Sequence, residues 1–232
     1  MPLKKIKVIA FDADDTLWEN ETYFREAEDQ FFDLMQSFDS RDNLAKELFS
    51  VEIANLELYG YGIKAFVLSM VETALKIGGP TLPTDIIAKI MDIGRWQLER
   101  PVILLDGVED VLSNLHKSYR LVVVTKGDLL DQERKLDKSG LTKYFHHIEI
   151  VSEKKASDYT KLLKHLDIKA EKFVMIGNSL KSDVLPVLEL GAYGIHVPFH
   201  TTWAHEQVDI IITDPKFYHA EKLKDILPLF GL

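Results

Sequence analysis

The chain has 232 residues, 46% of them hydrophobic and 28% charged, with 28 Lys and Arg against 37 Asp and Glu for a net charge of −9. That is enough apolar material for a sizeable core, and a length that suits one domain or one core domain carrying an inserted subdomain. The acidic balance argues against a nucleic-acid binder and against adhesion to anionic membranes, and the absence of cysteine excludes disulfides, thiolate catalysis and cysteine-bound zinc.

The start, Met1-Pro2-Leu3-Lys4-Lys5, is basic, but the apolar stretch after it is too short for a signal peptide, and no later run approaches a membrane span. The expectation is a soluble cytoplasmic protein. The first predicted strand, Lys7–Phe11, leads directly into Phe11-Asp12-Ala13-Asp14-Asp15-Thr16. In an extended chain residues i and i+2 point the same way, so Asp12 and Asp14 come close together. Two such carboxylates require a cation between them or a proton on one of them. Alone, the pair reads equally well as acids that cap a turn or a helix.

From Trp18 to Arg100 no strand is predicted. Phe24, Ala27, Phe31, Leu34, Met35 and Phe38 follow helical spacing, and Leu44–Leu58 and Ile63–Ile77 read as helices. Gly78-Gly79-Pro80 breaks the chain, and Thr84 is placed to cap a helix over Asp85–Leu98. Gly60-Tyr61-Gly62-Ile63-Lys64-Ala65 matches a dinucleotide-binding pattern but follows a helical segment rather than a strand, so it reads as an interhelical turn.

Beyond Pro101 short apolar runs alternate with helix-period segments. Strands are predicted at Arg120–Thr125, Ile148–Ser152, Phe173–Gly177, Gly194–Val197 and Ile210–Thr213. Helices are predicted at Val108–His116, at Ser157–Leu166 with Ser157 as N-cap, and at Ser182–Leu190, stopped by Gly191. Continuous rather than alternating apolar runs mark strands covered on both faces, as in a parallel sheet. The fold class is therefore α/β, a doubly wound, mainly parallel, Rossmann-like sheet. A crossover ordinarily needs one helix, so the excess between the first two strands is an inserted helical subdomain. The core is expected over 1–17 and 101–232 and the insert over 18–100. His196, His200 and His205 are too loosely spaced for zinc and read as ordinary loop histidines.

Ligands of open α/β sheets sit at the carboxyl ends of the strands. There the chain places Asp12 and Asp14, then Thr125 and Lys126, then Lys154 and Lys155, then Asn178, Ser179 and Asp183. Taken singly, each has a plain structural reading. Together and in this order they resemble the haloacid dehalogenase-like hydrolases, whose signatures stand here as Asp12-Ala13-Asp14-Asp15-Thr16, Thr125, Lys154 or Lys155, and Gly177-Asn178-Ser179-Leu180-Lys181-Ser182-Asp183.

The resemblance implies a phosphatase-type member with the helical insert as its cap, acting on a small phosphorylated molecule with magnesium. By it Asp12 is the nucleophile and Asp14 the general acid and base. Thr125, Lys126 and Lys154 bind phosphoryl oxygens, and Asp12, Asp14 (through its carbonyl), Asp183 and Asn178 hold the metal. Asp14 separates this pattern from the family's dehalogenases and phosphonatases, which usually lack an acid there; cap lysines such as Lys64 and Lys76 are read as surface residues. A phosphomutase, or a catalytically weak phosphate-binding protein on the same fold, shares the pattern. The chain departs from it at Asp15, where glycine is usual, at Asn178, which replaces an acid, and after Lys154, where proline is missing.

Overall fold

The computed structural model describes residues 3–232; Met1 and Pro2, which open the basic start, lie outside the described residues. β1 (Val8–Phe11) is followed by four helices, α1 (Glu21–Met35), α2 (Arg41–Tyr59), α3 (Ile63–Gly78) and α4 (Thr84–Leu98). Then come α5 (Val108–Leu115), β2 (Arg120–Lys126), α6 (Leu129–Ser139), β3 (His147–Val151), α7 (Ala156–His165) and β4 (Phe173–Gly177). The chain ends with α8 (Leu185–Glu189), β5 (Tyr193–His196), β6 (Phe217–His219) and α9 (Leu227–Phe230). The six strands form one sheet in the order β3-β2-β1-β4-β5-β6, parallel throughout. The expected α/β class is what the chain adopts, with the helical insertion between β1 and β2.

Two apolar cores explain why the strands carry unbroken hydrophobic runs. Ile9 and Phe11 of β1, Leu121 and Val123 of β2, and Val174 and Ile176 of β4 face one core with Val111, Leu112 and Leu115 of α5. Their neighbours Val8, Ala10, Val122, Val124, Phe173 and Met175 face the other, with Tyr159, Leu162 and Leu163 of α7. Successive side chains alternate faces, so a strand covered on both sides must be apolar at every position.

The chain divides into two compact units. One comprises the chain up to Glu21, Val102–Lys126 and Gln132–Leu232; the other comprises Thr22–Pro101 and Gly127–Asp131. The second unit has its own core, built from Ala27, Phe31 and Met35 of α1, Leu44 and Leu48 of α2, Phe66 and Met70 of α3, and Ile90 of α4. Gly94 permits a close contact between α4 and α3, because a Cβ there would stand 2.3 Å from Val67 Cγ2. Gly60 and Gly62 lie in the turn between α2 and α3, as expected of a motif that follows a helical segment rather than a strand.

Several expectations need correction. Ile210–Thr213 is not a strand: Ile211 is 94% exposed, and with no core to face its apolar character does not make one. The sixth strand is Phe217–His219, which pairs with Gly194–His196 of β5. Helix α6 was not anticipated, because Leu129–Ser139 is mostly polar and its one buried apolar residue is Leu136. Ser157 lies inside the first turn of α7, and the N-cap position is Lys155, whose backbone N–H donates to Asp158 Oδ2 at 3.2 Å. Thr84 is likewise the first residue of α4, not its cap.

Asp15 shows what replaced the usual glycine. Its φ is +62°, the left-handed region that Asp tolerates better than most residues. Its carboxylate accepts the backbone N–H groups of Asn20 at 2.8 Å and Glu21 at 3.0 Å, at the entry to α1. Burial pushes this carboxyl up to about 8, against the opposing pull of those two amides. A pKa raised on folding means stability that is full below the ordinary carboxylate range and is lost as pH rises through about 8. Asp15→Gly, which keeps the backbone but loses the cap, should cost about 1 kcal/mol, and Asp15→Ala, which loses both, about 2 kcal/mol. Asp15→Asn should keep the acceptor and flatten the pH dependence. Urea unfolding of all four proteins between pH 5 and 9 checks both expectations.

Candidate active site

β2, β1 and β4 lie side by side, and the connections wind in opposite directions about β1. The segments leaving their carboxyl ends therefore meet at the switch point of the sheet, where such folds bind ligands. Asp12 follows β1 directly, and its backbone N–H donates to the Ile176 carbonyl of β4 at 2.9 Å.

The centre of the site is a buried lysine between two carboxylates. Lys154 Nζ donates to Asp12 Oδ1 and, at 2.7 Å, to Asp183 Oδ1, and all three residues are at most 6% exposed. Burial pushes the Asp12 carboxyl up to about 7, restrained by Lys154 and reinforced by Asp183. Burial alone would lower the lysine, but the two carboxylates outweigh it and raise it, so Lys154 remains an ammonium. Lys155, its rival in the sequence, is exposed at the start of α7.

The loop after β4 is shaped to deliver Asp183. Gly177 is indispensable there: a Cβ would stand 2.1 Å from Asp183 Oδ2. Leu180–Val184 forms a π-helical turn, a feature frequent at functional sites. The Ser179 amide donates to Asp183 Oδ2 at 3.0 Å, and Tyr159 Oη donates to the Ser182 carbonyl at 3.0 Å. Thr16 joins this loop to β1, because its hydroxyl donates to Asp12 Oδ2 at 3.1 Å and accepts the Asn178 amide at 3.1 Å.

Asp14 does not join the lysine cluster. Its carboxylate accepts from Trp18 Nε1 at 2.7 Å, Gln132 Nε2 at 2.8 Å and Lys135 Nζ at 2.6 Å. Gln132 and Lys135 stand three residues apart on α6, so one helix face presents both donors. Thr125 ends the buried run of β2 at 1% exposure. Lys126 Nζ reaches Ser182 Oγ at 2.9 Å and Glu206 Oε1 at 2.7 Å. Glu206 also accepts from Ser179 Oγ at 2.5 Å and Ser182 Oγ at 2.6 Å. Burial would raise the Glu206 carboxyl, but Lys126 and the serine hydroxyls bring it down to about 2.

Sequence reasoning therefore missed Thr16 as a bridging residue, Trp18, Gln132 and Lys135 around Asp14, and Glu206. The Gln132–Lys135 spacing was the available signal, once α6 is known to be a helix. Glu206 closes a single 3-10 turn, Ala204–Glu206, with no sequence pattern to mark it. The three histidines serve separately: His196 Nε2 contacts the Asn178 carbonyl at 3.0 Å, His200 Nδ1 contacts Thr201 Oγ1 at 2.8 Å, and His205 lies against Lys181.

Among the described residues no three His, Asp or Glu side chains form a ligand cluster, and no helix is long and apolar enough to cross a membrane. The oxygen donors that do gather are the carboxylates of Asp12 and Asp183, with Asn178 Oδ1 3.4 Å from Thr16 Oγ1. Two carboxylates with neutral oxygens nearby suit magnesium, which takes few carboxylates and retains water.

Residues 6–191 match the family model of the haloacid dehalogenase-like hydrolases. The chain belongs to that family. A crystal structure of a haloacid dehalogenase-like family hydrolase from Xanthomonas campestris is 38% identical, covers 94% of this chain and 87% of its own, and superposes with a TM-score of 0.85. Two more distant structures share the fold. The HAD-hydrolase YfnB of Bacillus subtilis, solved with magnesium, is 20% identical over 98% of this chain and 99% of its own, with a TM-score of 0.66. A predicted phosphoglycolate phosphatase from Haemophilus somnus is 15% identical over the same shares, with a TM-score of 0.63. No curated protein matches the sequence.

Glu206→Ala removes the carboxylate partner of Lys126 and the acceptor of both serines, and should cost about 3 kcal/mol by urea unfolding at neutral pH. Glu206→Gln, which keeps an oxygen toward Ser179 and Ser182, should recover part of that loss.

Proposed function

We propose that this haloacid dehalogenase-like hydrolase is a magnesium-dependent phosphatase that cleaves a small phosphorylated metabolite through an aspartyl-phosphate on Asp12. The observation that carries this reading is the buried Asp12–Lys154–Asp183 cluster, with a second acid, Asp14, two residues beyond the first. A dehalogenating site needs no acid at that position, because its leaving halide takes no proton, whereas an alkoxide leaving a phosphate ester does.

In this reading an Asp12 carboxylate oxygen attacks phosphorus as the ester P–O bond breaks. Asp14 gives its proton to the departing oxygen. Water then attacks the aspartyl-phosphate, Asp14 takes back a proton, and inorganic phosphate leaves Asp12 as a free carboxylate. Lys154 pairs with the charge on Asp12 before reaction and supplies an ammonium to the phosphoryl oxygens during it, beside Thr125. Lys126, matched by Glu206, acts as a strut that joins the end of β2 to the loop carrying Asp183. Magnesium, held by Asp12, the Asp14 carbonyl and Asp183 with Asn178 beside them, would neutralise phosphoryl charge and align the ester. That YfnB was solved with magnesium supports magnesium as the cation. Asn178 brings an oxygen without a charge, which makes Asp183 the more important metal carboxylate.

The test is turnover of p-nitrophenyl phosphate and a panel of phosphorylated metabolites, with magnesium and with EDTA. EDTA should abolish activity, and Asp12→Asn should lower kcat on the order of a thousandfold or more. Asp14→Asn should depress alkyl esters about a hundredfold or more, and p-nitrophenyl phosphate less, because that leaving group departs without a proton. An Asp12→Asn variant as active as the native protein would overturn the nucleophile. Tight phosphate binding without turnover on any ester would favour a binding protein.

A further inference from the structure

At the end of the sheet opposite Asp12 the same strands begin with cations. Lys7 precedes β1, Arg120 opens β2 and Lys172 precedes β4. With Lys164 and Lys169 from the end of α7 and the turn after it, they line a hollow of about 470 Å³. Its apolar lining is Leu163 and Ile168, and its one carboxylate is Asp167. Five cations against one acid stand out in a chain of net charge −9.

Backbone hydrogen bonds hold this array together. The Arg120 amide donates to the Lys7 carbonyl at 3.1 Å, the Lys7 amide to the Lys172 carbonyl at 2.9 Å, and the Lys172 amide to the Lys169 carbonyl at 2.9 Å. The Asp167 amide donates to the Lys164 carbonyl at 3.2 Å, and the Arg120 guanidinium to the Leu166 carbonyl at 3.4 Å. The five cationic residues thus stand on three segments of main chain, at the starts of β1 and β2 and from the end of α7 to β4, that hydrogen bonds hold side by side. Among the described residues none of the five forms an ion pair with a carboxylate. Like charges brought together and left unmatched repel one another, and an anion with several charges on a short chain removes that repulsion. The size of the hollow lies within the range of about 300–1,000 Å³ that takes small molecules.

We propose that this hollow binds an oligophosphate, recognised through its chain of charged phosphates, at a site distinct from Asp12 and Lys154. The ligand is either an inorganic oligophosphate or the phosphate tail of a nucleotide. Calorimetric titration of the whole chain in EDTA at low salt, with inorganic tripolyphosphate, ATP and adenosine in parallel, tests it. Tripolyphosphate and ATP should each bind saturably at one site, adenosine should not, and added salt should weaken both. Tighter binding of ATP would assign the nucleotide as the ligand, and equal binding the phosphate chain alone. Lys164→Glu with Lys169→Glu should weaken tripolyphosphate at least tenfold. Both positions are exposed, so the fold should hold, and circular dichroism of that variant and of Lys164→Ala with Lys169→Ala checks it. The KM for p-nitrophenyl phosphate in magnesium should stay unchanged, so a loss confined to tripolyphosphate separates this hollow from the phosphatase site. Native affinity in the charge-reversed protein, absence of saturable tripolyphosphate binding, or ATP binding without tripolyphosphate binding would each overturn the proposal.

Discussion

Lys154 is the residue around which the site is organised. A buried ammonium is costly unless carboxylates surround it, and two buried carboxylates are costly unless a cation lies between them. Asp12 arrives from β1, Asp183 from the turn after β4, and Lys154 from the segment before α7. Each is tolerable in the interior because the other two are present. The interaction therefore ties together three separate stretches of chain, and it fixes where the carboxyl ends of β1 and β4 must lie relative to α7.

The surrounding structure serves that cluster through backbone geometry. At Gly177 the Asp183 side chain occupies the place that a Cβ would need. The π-helical turn then folds the chain back, stabilised by Tyr159 on one side and by Glu206 on the other. Glu206 has a second effect. By matching Lys126 it leaves Lys154 as the cation that faces Asp12 and Asp183. The neutral amide at Asn178 acts in the same direction, since a carboxylate there would add a third negative charge near a single ammonium.

The core of this picture was legible in the sequence because it depends on local pattern. Unbroken apolar runs identified β1, β2 and β4, and strand ends identified Asp12, Thr125 and Asp183. The offset from Tyr159 favoured Lys154 over Lys155, and Lys154 and Tyr159 are both buried whereas Lys155 is exposed. What stayed hidden depends on contacts distant in sequence. Glu206 meets Lys126 across eighty positions, and Lys135 meets Asp14 across more than a hundred. Ile210–Thr213 misled for the complementary reason: an apolar run becomes a strand only where a sheet edge and a core receive it, and β5 takes Phe217–His219 instead. Asp15 shows a single residue doing two jobs, with its backbone meeting the turn and its side chain capping α1, so a departure from the usual glycine preserves the geometry.

The two ends of the sheet differ in a way that follows from its parallel order. Because every strand runs the same way, whatever follows the strands collects on one edge and whatever precedes them collects on the other. Asp12, Asp14 and Asp183 follow β1 and β4; Lys7, Arg120 and Lys172 stand at the starts of β1, β2 and β4. An antiparallel arrangement would have mixed these sets and paired them off. Here they remain apart. At the carboxyl edge the acids are met by lysines from the neighbouring segments. At the amino edge, among the described residues, the five cations around the hollow form no ion pair with a carboxylate, so this acidic chain carries a local cluster of positive charge there.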